Sequence, residues 1–332
     1  MDVWLLAGQI QTLLYGTSVC WSFVYVCLKV SRACLVHSRP AQILLIVAIA
    51  GSSFLYGFLK TLKSFTGNGT NHLDLIAWHK NIEPTDYKVQ SITTESVLGY
   101  WCYSQLMSLL LPFILFINIR SRLIKMSTLE LCAYAWLALG GALSVAFPLF
   151  VLRYHSSMQD QTGMKSPALR LPTWGMDILG ICLWLSFWFT VSLSWSKDEE
   201  VTLYLWLLRF ALFLPSLIPA TPIKNSKDHS MPLPIYCGLV VLITGYHWYQ
   251  SAKVITHTGF VHHNLALPFS HDMMFCLVSL VLYILYLSKT LGLLVSLALI
   301  FITPFLSLGS TFSLLVIYDR HLKKGQLSRK ED

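Results

Sequence analysis

The chain has 332 residues, of which 55% are hydrophobic and only 12% charged, and its mean hydropathy is +0.59. Soluble domains carry about 25% charged residues, so this composition excludes an ordinary soluble protein and points to an integral membrane one. The net charge of +8 does not indicate a nucleic-acid partner, because the basic residues fall between apolar runs rather than in a patch and read as topology signals.

A helix needs about 20 apolar residues to cross a bilayer. In chain order nine stretches reach that length, roughly 3–29, 40–59, 96–118, 128–151, 173–195, 201–220, 233–251, 269–287 and 291–317. They predict an all-α fold, a polytopic bundle of about nine transmembrane helices over residues 1–318, followed by a basic tail at 319–332. The last two runs part at Ser288-Lys289-Thr290, with Gly292 behind. The first run lacks the basic lead-in and small-residue cleavage site of a signal peptide, so it is expected to remain as a span. No internal repeat is visible. Eight cysteines are scattered without a CxxC pair. Cys20, Cys27 and Cys34 recur every seven residues, which helix packing explains, and neither a disulfide framework nor a zinc site is expected.

Lys and Arg near the span ends set the orientation. Short basic clusters follow the first run (Lys29, Arg32, Arg39) and the third (Arg120, Arg122, Lys125), and the tail adds Arg320, Lys323, Lys324, Arg329 and Lys330. With nine crossings these share one side, which holds 13 basic residues against 10 on the other. That side is cytosolic by the positive-inside rule, which puts the N-terminus in the lumen and the C-terminus in the cytosol. The long loop 60–95 is then luminal, and its Asn68-Gly69-Thr70 matches a glycosylation acceptor. The endoplasmic reticulum membrane is the expected location.

An ionisable group within an apolar run is expensive and marks a working site by default. Asp272 opens the eighth run, just after His257, His262, His263 and His271. It reads either as a proton donor or substrate-orienting carboxylate, or as a helix-start residue favoured by the positive dipole end, with Ser270 as N-cap. Glu130, after Ser127-Thr128, reads as a helix-start carboxylate, as do Glu95 and Asp177. By the span count, Glu130 and Asp272 lie at similar depth near the cytosolic face. Arg209, near the middle of the sixth run, requires an ion-pair partner, a water-filled cavity or the interface.

The histidines lack the second His box of membrane di-iron enzymes and suit a solvated loop, while His247 imitates the buried histidine of membrane O-acyltransferases. There is no GxSxG, P-loop or GxGxxG pattern and no aspartate-rich diphosphate motif, so neither metal nor cofactor is expected. Aromatics make up 13% of the chain, and Trp206, Tyr246 and Trp248 are among those inside runs. Most suit packing and interfacial anchoring. A wall of such rings also stabilises cations, and with a buried acid it meets the needs of protonation-initiated polyene cyclisation.

Several fragments sharpen that reading. They are Leu139-Gly140-Gly141-Ala142 leading to Phe147-Pro148-Leu149, Leu214-Pro215-Ser216-Leu217-Ile218-Pro219, the acidic opening Phe269 to Asp272, and Pro304 with Leu308-Gly309. From about residue 138 onward the chain resembles the fungal integral-membrane terpene cyclases of meroterpenoid pathways. The resemblance implies a metal-independent cyclase acting on a hydrophobic small molecule, a prenylated and possibly epoxidised aromatic or polyketide. It makes Asp272 the general acid, with Glu130 and Arg209 as supporting polar groups. Trp248, Tyr246, Trp206 and His271 would contact the substrate. Ser270-His271 departs from the aromatic or Gln usual before the acid. Two other classes stay open: a transporter or lipid-handling protein built on Arg209 and Asp272, and an acyltransferase or hydroxylase built on the histidines.

Overall fold

The computed structural model describes residues 3–34, 97–160, 169–193, 198–222, 233–258 and 268–328. Among these residues the fold is all-α, with ten α-helices. In chain order they are α1 (Val3–Cys34), α2 (Val97–Leu123), α3 (Thr128–Trp136), α4 (Leu143–Asp160), α5 (Thr173–Ser192), α6 (Asp198–Phe213), α7 (Leu233–Thr258), α8 (Pro268–Leu291), α9 (Leu293–Leu306) and α10 (Leu308–Ser328). A π-helical turn, Leu137–Gly141, joins α3 to α4, a 3-10 turn, Leu214–Leu217, ends α6, and two short strands, Leu169–Arg170 and Thr221–Pro222, pair antiparallel. The segment 40–59 and the loop 60–95 with Asn68 lie outside the described residues.

The central helix is α2, whose Leu109, Phe113, Ile114, Leu115 and Ile117 are fully buried. It ends in a Schellman-type turn. Lys125 takes a left-handed conformation (φ 54°), the Met126 amide donates to the Ser121 carbonyl at 2.9 Å and the Lys125 amide to Arg122 at 3.2 Å. Ser127 then caps α3 by accepting from the Glu130 amide at 3.2 Å.

The expected single helix over 128–151 is broken and folds back. Gly140-Gly141 weakens the helix where it breaks, and Ala142 is extended (φ −149°, ψ 126°). A continuous helix would hold Glu130 and Arg153 about 35 Å apart; instead their side chains meet at 2.8 Å. Tyr134 likewise reaches the carbonyl of Leu149 and packs its ring edge-on against Phe150, with centroids 5.3 Å apart. The pairings 130 with 153 and 134 with 149 describe an antiparallel helical hairpin with its tip at 140–142.

The expected run 291–317 is broken within, at Ser307. Gly292 (φ 86°) separates α8 from α9, close to the predicted division, and Ser307 (φ 95°) separates α9 from α10. The break at Ser307 leaves the last carbonyls of α9 without helical partners. Three side chains of α7 take them up. His247 Nε2 donates to Pro304 at 3.0 Å, Trp248 Nε1 to Phe305 at 2.6 Å, and the Thr244 hydroxyl reaches Leu306 at 3.4 Å. Gly309, just beyond the tip, presses against the backbone of Ser108 on α2. Helices α9 and α10 therefore form a second hairpin.

Ring contacts fix the helix directions. Phe113 meets Phe147 and Phe150, and Phe116 meets Phe150 and Tyr154, so α4 runs parallel to α2. Phe312 meets Phe116, and Tyr283 and Tyr286 meet His155, which makes α10 and α8 parallel to them as well. Tyr246 meets Tyr100 at the opposite end of α2, and α7 runs antiparallel. Both hairpins thus enter the bundle from the end that carries Arg120 and Arg122, and both tips stop near the level of Ser108.

Tyr100–Leu123 and Thr173–Ser192 are long and apolar enough to cross a membrane. The outer surface is apolar too: Leu294 is 82% exposed, Phe301 77% and Val241 71%, and Trp174, Ile181, Trp184 and Trp188 line one exposed side of α5.

Candidate functional site

Asp272 lies in the second turn of α8, half-buried, with its carboxylate at the first hairpin tip. Its Oδ1 accepts from the backbone amide of Ser144 at 3.1 Å, and the Ser144 side chain and the Leu143 backbone add further hydrogen bonding. Once the chain reverses at Ala142, the first amides of α4 have no preceding carbonyls to receive them. A carboxylate supplied by α8 satisfies them and faces the positive end of the α4 dipole. The dipole expectation therefore holds with a different helix: Asp272 caps α4 rather than its own helix. Fully buried Cys276 stands one turn further along α8, near enough to interact electrostatically with it.

One turn beyond Ser144, Phe147 begins a buried aromatic cluster. It packs edge-on against Phe113, Phe312 and Tyr283 at centroid separations of 5.6, 5.2 and 6.2 Å. The rings nearest the carboxylate along α4 are therefore these, not the tryptophans singled out in the sequence. Polar groups gather at the same level. Ser307 and Ser310 hydrogen-bond each other at the second tip, Thr244 reaches Ser310 at 2.9 Å, and Gln105, Ser108 and Thr311 are buried.

Glu130 is buried and pairs with Arg153, which also donates to Ser157. The pair lies near the entry end of the hairpin, about ten residues of α4, or roughly 15 Å, from the level of Asp272. The expected similar depth of Glu130 and Asp272 is thereby corrected; it assumed that 128–151 crosses in one pass. Arg153 itself gave no sequence signal, because it sits just past the end of an apolar run.

Arg209 lies in the second half of α6, more than a turn before the helix gives way to the 3-10 turn, with its guanidinium 5.2 Å from the Trp206 ring centroid. Helix α6 packs on α3, α5 and the π-helical turn at the first tip, and α8 on α2, α4, α9 and α10, so Arg209 and Asp272 approach that tip on helices that do not pack closely on each other. Tyr246 is buried at the far end, where its hydroxyl and that of Tyr100 lie 2.5 Å apart and both reach the Thr190 carbonyl, joining α2, α5 and α7. Trp248 is 63% exposed on the outer surface. The side chains of His257 and His271 and all of His262 and His263 lie outside the described residues. Among the described residues no three His, Cys, Asp or Glu side chains cluster as a metal would require.

Comparison with known proteins gives no match: no family model fits the chain, and neither a curated protein nor a solved structure matches it.

Proposed function

We propose that this is an integral membrane protein of the endoplasmic reticulum in which α1, α2, α5, α6, α7 and α8 cross the bilayer, together with the span expected from the sequence over 40–59, and two re-entrant hairpins, α3–α4 and α9–α10, dip in from the cytosolic side. Charge supports this topology over nine passes. Counting both hairpins as non-crossing puts 17 basic residues on the cytosolic side and 6 on the luminal side, with Arg209 within the bundle, in place of 13 and 10. Arg153, Lys165, Arg170, Lys224, Lys227 and Lys289 join the cytosolic set, while Lys197 and Lys253 leave it. The N-terminus stays luminal and the tail cytosolic, as the first clusters require. Cysteines introduced for Lys125 and Asp160, in a background without the eight native ones, should be labelled from the same side of sealed microsomes. A single pass through 128–151 labels them from opposite sides.

Within that frame we infer a terpene cyclase-like enzyme acting on a prenylated, possibly epoxidised, aromatic or polyketide drawn from the bilayer. The observation that supports it is the position of Asp272, a carboxyl at the tip of the first hairpin, one turn along α4 from a buried aromatic cluster. The acid protonates a terminal alkene or epoxide, and nearby ring faces stabilise the carbocation. Microsomes carrying the protein, given an epoxidised farnesyl-aromatic substrate, should yield cyclised product with wild type and none with Asp272→Asn. Equal product from both removes Asp272 from the chemistry.

A second reading, solute or ion translocation, is favoured by one further feature. Interrupted helices that meet at mid-depth beside buried polar groups are how transporters build binding sites. Uptake into proteoliposomes that depends on Asp272, with no cyclised product, would select it.

A further inference from the structure

At the end of the bundle from which both hairpins enter, three side chains from three helices come together. Arg120 of α2 lies over two rings, its guanidinium carbon 5.4 Å from the Tyr154 centroid on α4 and 5.7 Å from Phe116. Tyr236, in the first turn of α7, is close enough to interact electrostatically with Arg120. The hydroxyls of Tyr154 and Tyr236 are buried and have no hydrogen-bond partner among the described residues. A buried hydroxyl left unsatisfied is destabilising, so two beside one guanidinium require an explanation. Arg122, two residues on, does not supply it: it is turned to the Ile218 carbonyl, to which it donates at 2.6 Å. Arg120 itself is only half-buried.

We propose that Arg120, Tyr154 and Tyr236 form a binding site for a phosphate-bearing anion. The guanidinium supplies charge-assisted donors to the phosphate oxygens, and each phenol donates one hydrogen bond. The anionic headgroup of a phospholipid and free phosphate share this chemistry. The headgroup source rests on the membrane reading above; the site does not. A bound anion also links α2, α4 and α7.

The test uses the full chain purified in a neutral detergent, with melting followed as short-chain phosphatidic acid, diacylglycerol or inorganic phosphate is added. A ligand at about a hundredfold excess over its Kd should raise the melting point of wild type by roughly 5–10 °C. Diacylglycerol, which lacks the phosphate, should not. A rise with phosphatidic acid alone assigns the site to a lipid headgroup, and a rise with inorganic phosphate as well assigns it to the anion itself. Tyr236→Phe and Tyr154→Phe separate binding from folding. Each removes an unsatisfied hydroxyl, so the unliganded variants should melt at or above wild type, yet lose most of the ligand-induced rise. Arg120→Gln should abolish it. A wild type that responds to neither anion, or a rise of the same size in both phenylalanine variants, overturns the proposal.

Discussion

Replacing Gly309 by alanine tests the second hairpin at its tightest point. A Cβ built at Gly309 would lie 1.8 Å from the Ser108 carbonyl oxygen and 2.3 Å from its carbon. Ordinary contact begins near 3.4 Å, so the tip must withdraw by about 1.5 Å or α2 must yield. Neither is easy. Ser108 belongs to the buried middle of the central helix, and the tip is held by Thr244, His247 and Trp248. Overpacking of a filled core costs about 1–3 kcal/mol, and a clash with backbone rather than a flexible side chain belongs at the upper end. At roughly 2–4 °C per kcal/mol, Gly309→Ala should melt about 6–12 °C below wild type in the same detergent. Gly238→Ala is the control, since a Cβ at that helical position meets nothing within 4 Å. It should be neutral or slightly stabilising, because alanine favours a helix over glycine. If Gly309→Ala melts with wild type, α10 does not approach α2 as described, and the tip level argued from that contact is wrong.

Three further outcomes follow from the hairpins. Asp272→Ala should lose about 0.5–2 kcal/mol through the uncapped amides of α4, whereas Asp272→Asn, whose side-chain oxygen still accepts, should melt close to wild type; equal losses would mean that the carboxylate does not cap α4. Glu130→Ala should lose about 2–3 kcal/mol, below the 3–5 of a fully buried pair because the Arg153 side chain is 19% exposed. Adding Arg153→Gln should recover part of that loss, and strict additivity of the two changes would deny their pairing. Trp248→Phe keeps the apolar ring but leaves the Phe305 carbonyl without its donor. It should lose about 0.5–1.5 kcal/mol in a melting assay, and an unchanged melting point would remove the indole from the cap.

The sequence reports much of this fold and little of the site. Apolar runs near 20 residues mark α1, α2, α5, α7 and α8 closely, because burial and lipid exposure both demand such runs. Hydropathy has no sense of direction, however. A run that crosses and a run that enters and returns look alike, and only Gly140-Gly141 and the Pro304 to Gly309 stretch mark where the chain reverses. Gly292, by contrast, falls where the division was expected. Asp272 stands out as an acid in an apolar run, and the helix dipole was a correct part of its explanation. Its partner was illegible, since the amides it receives are 128 residues away. Trp248 was visible as an aromatic inside a run, but its exposure and its bond to Phe305 depend on a break at Ser307 that no local pattern required.

The Asp272 cap also bears on how the chain is assembled. The ribosome releases the α3–α4 segment long before α8, so its reversed tip emerges with no carboxylate to receive its amides. The α9–α10 segment meets the reverse situation: Thr244, His247, Trp248 and Ser108 are already made when it arrives. The early loop is therefore provisional until late in synthesis, and truncation before residue 272 should leave it free to straighten into a full pass.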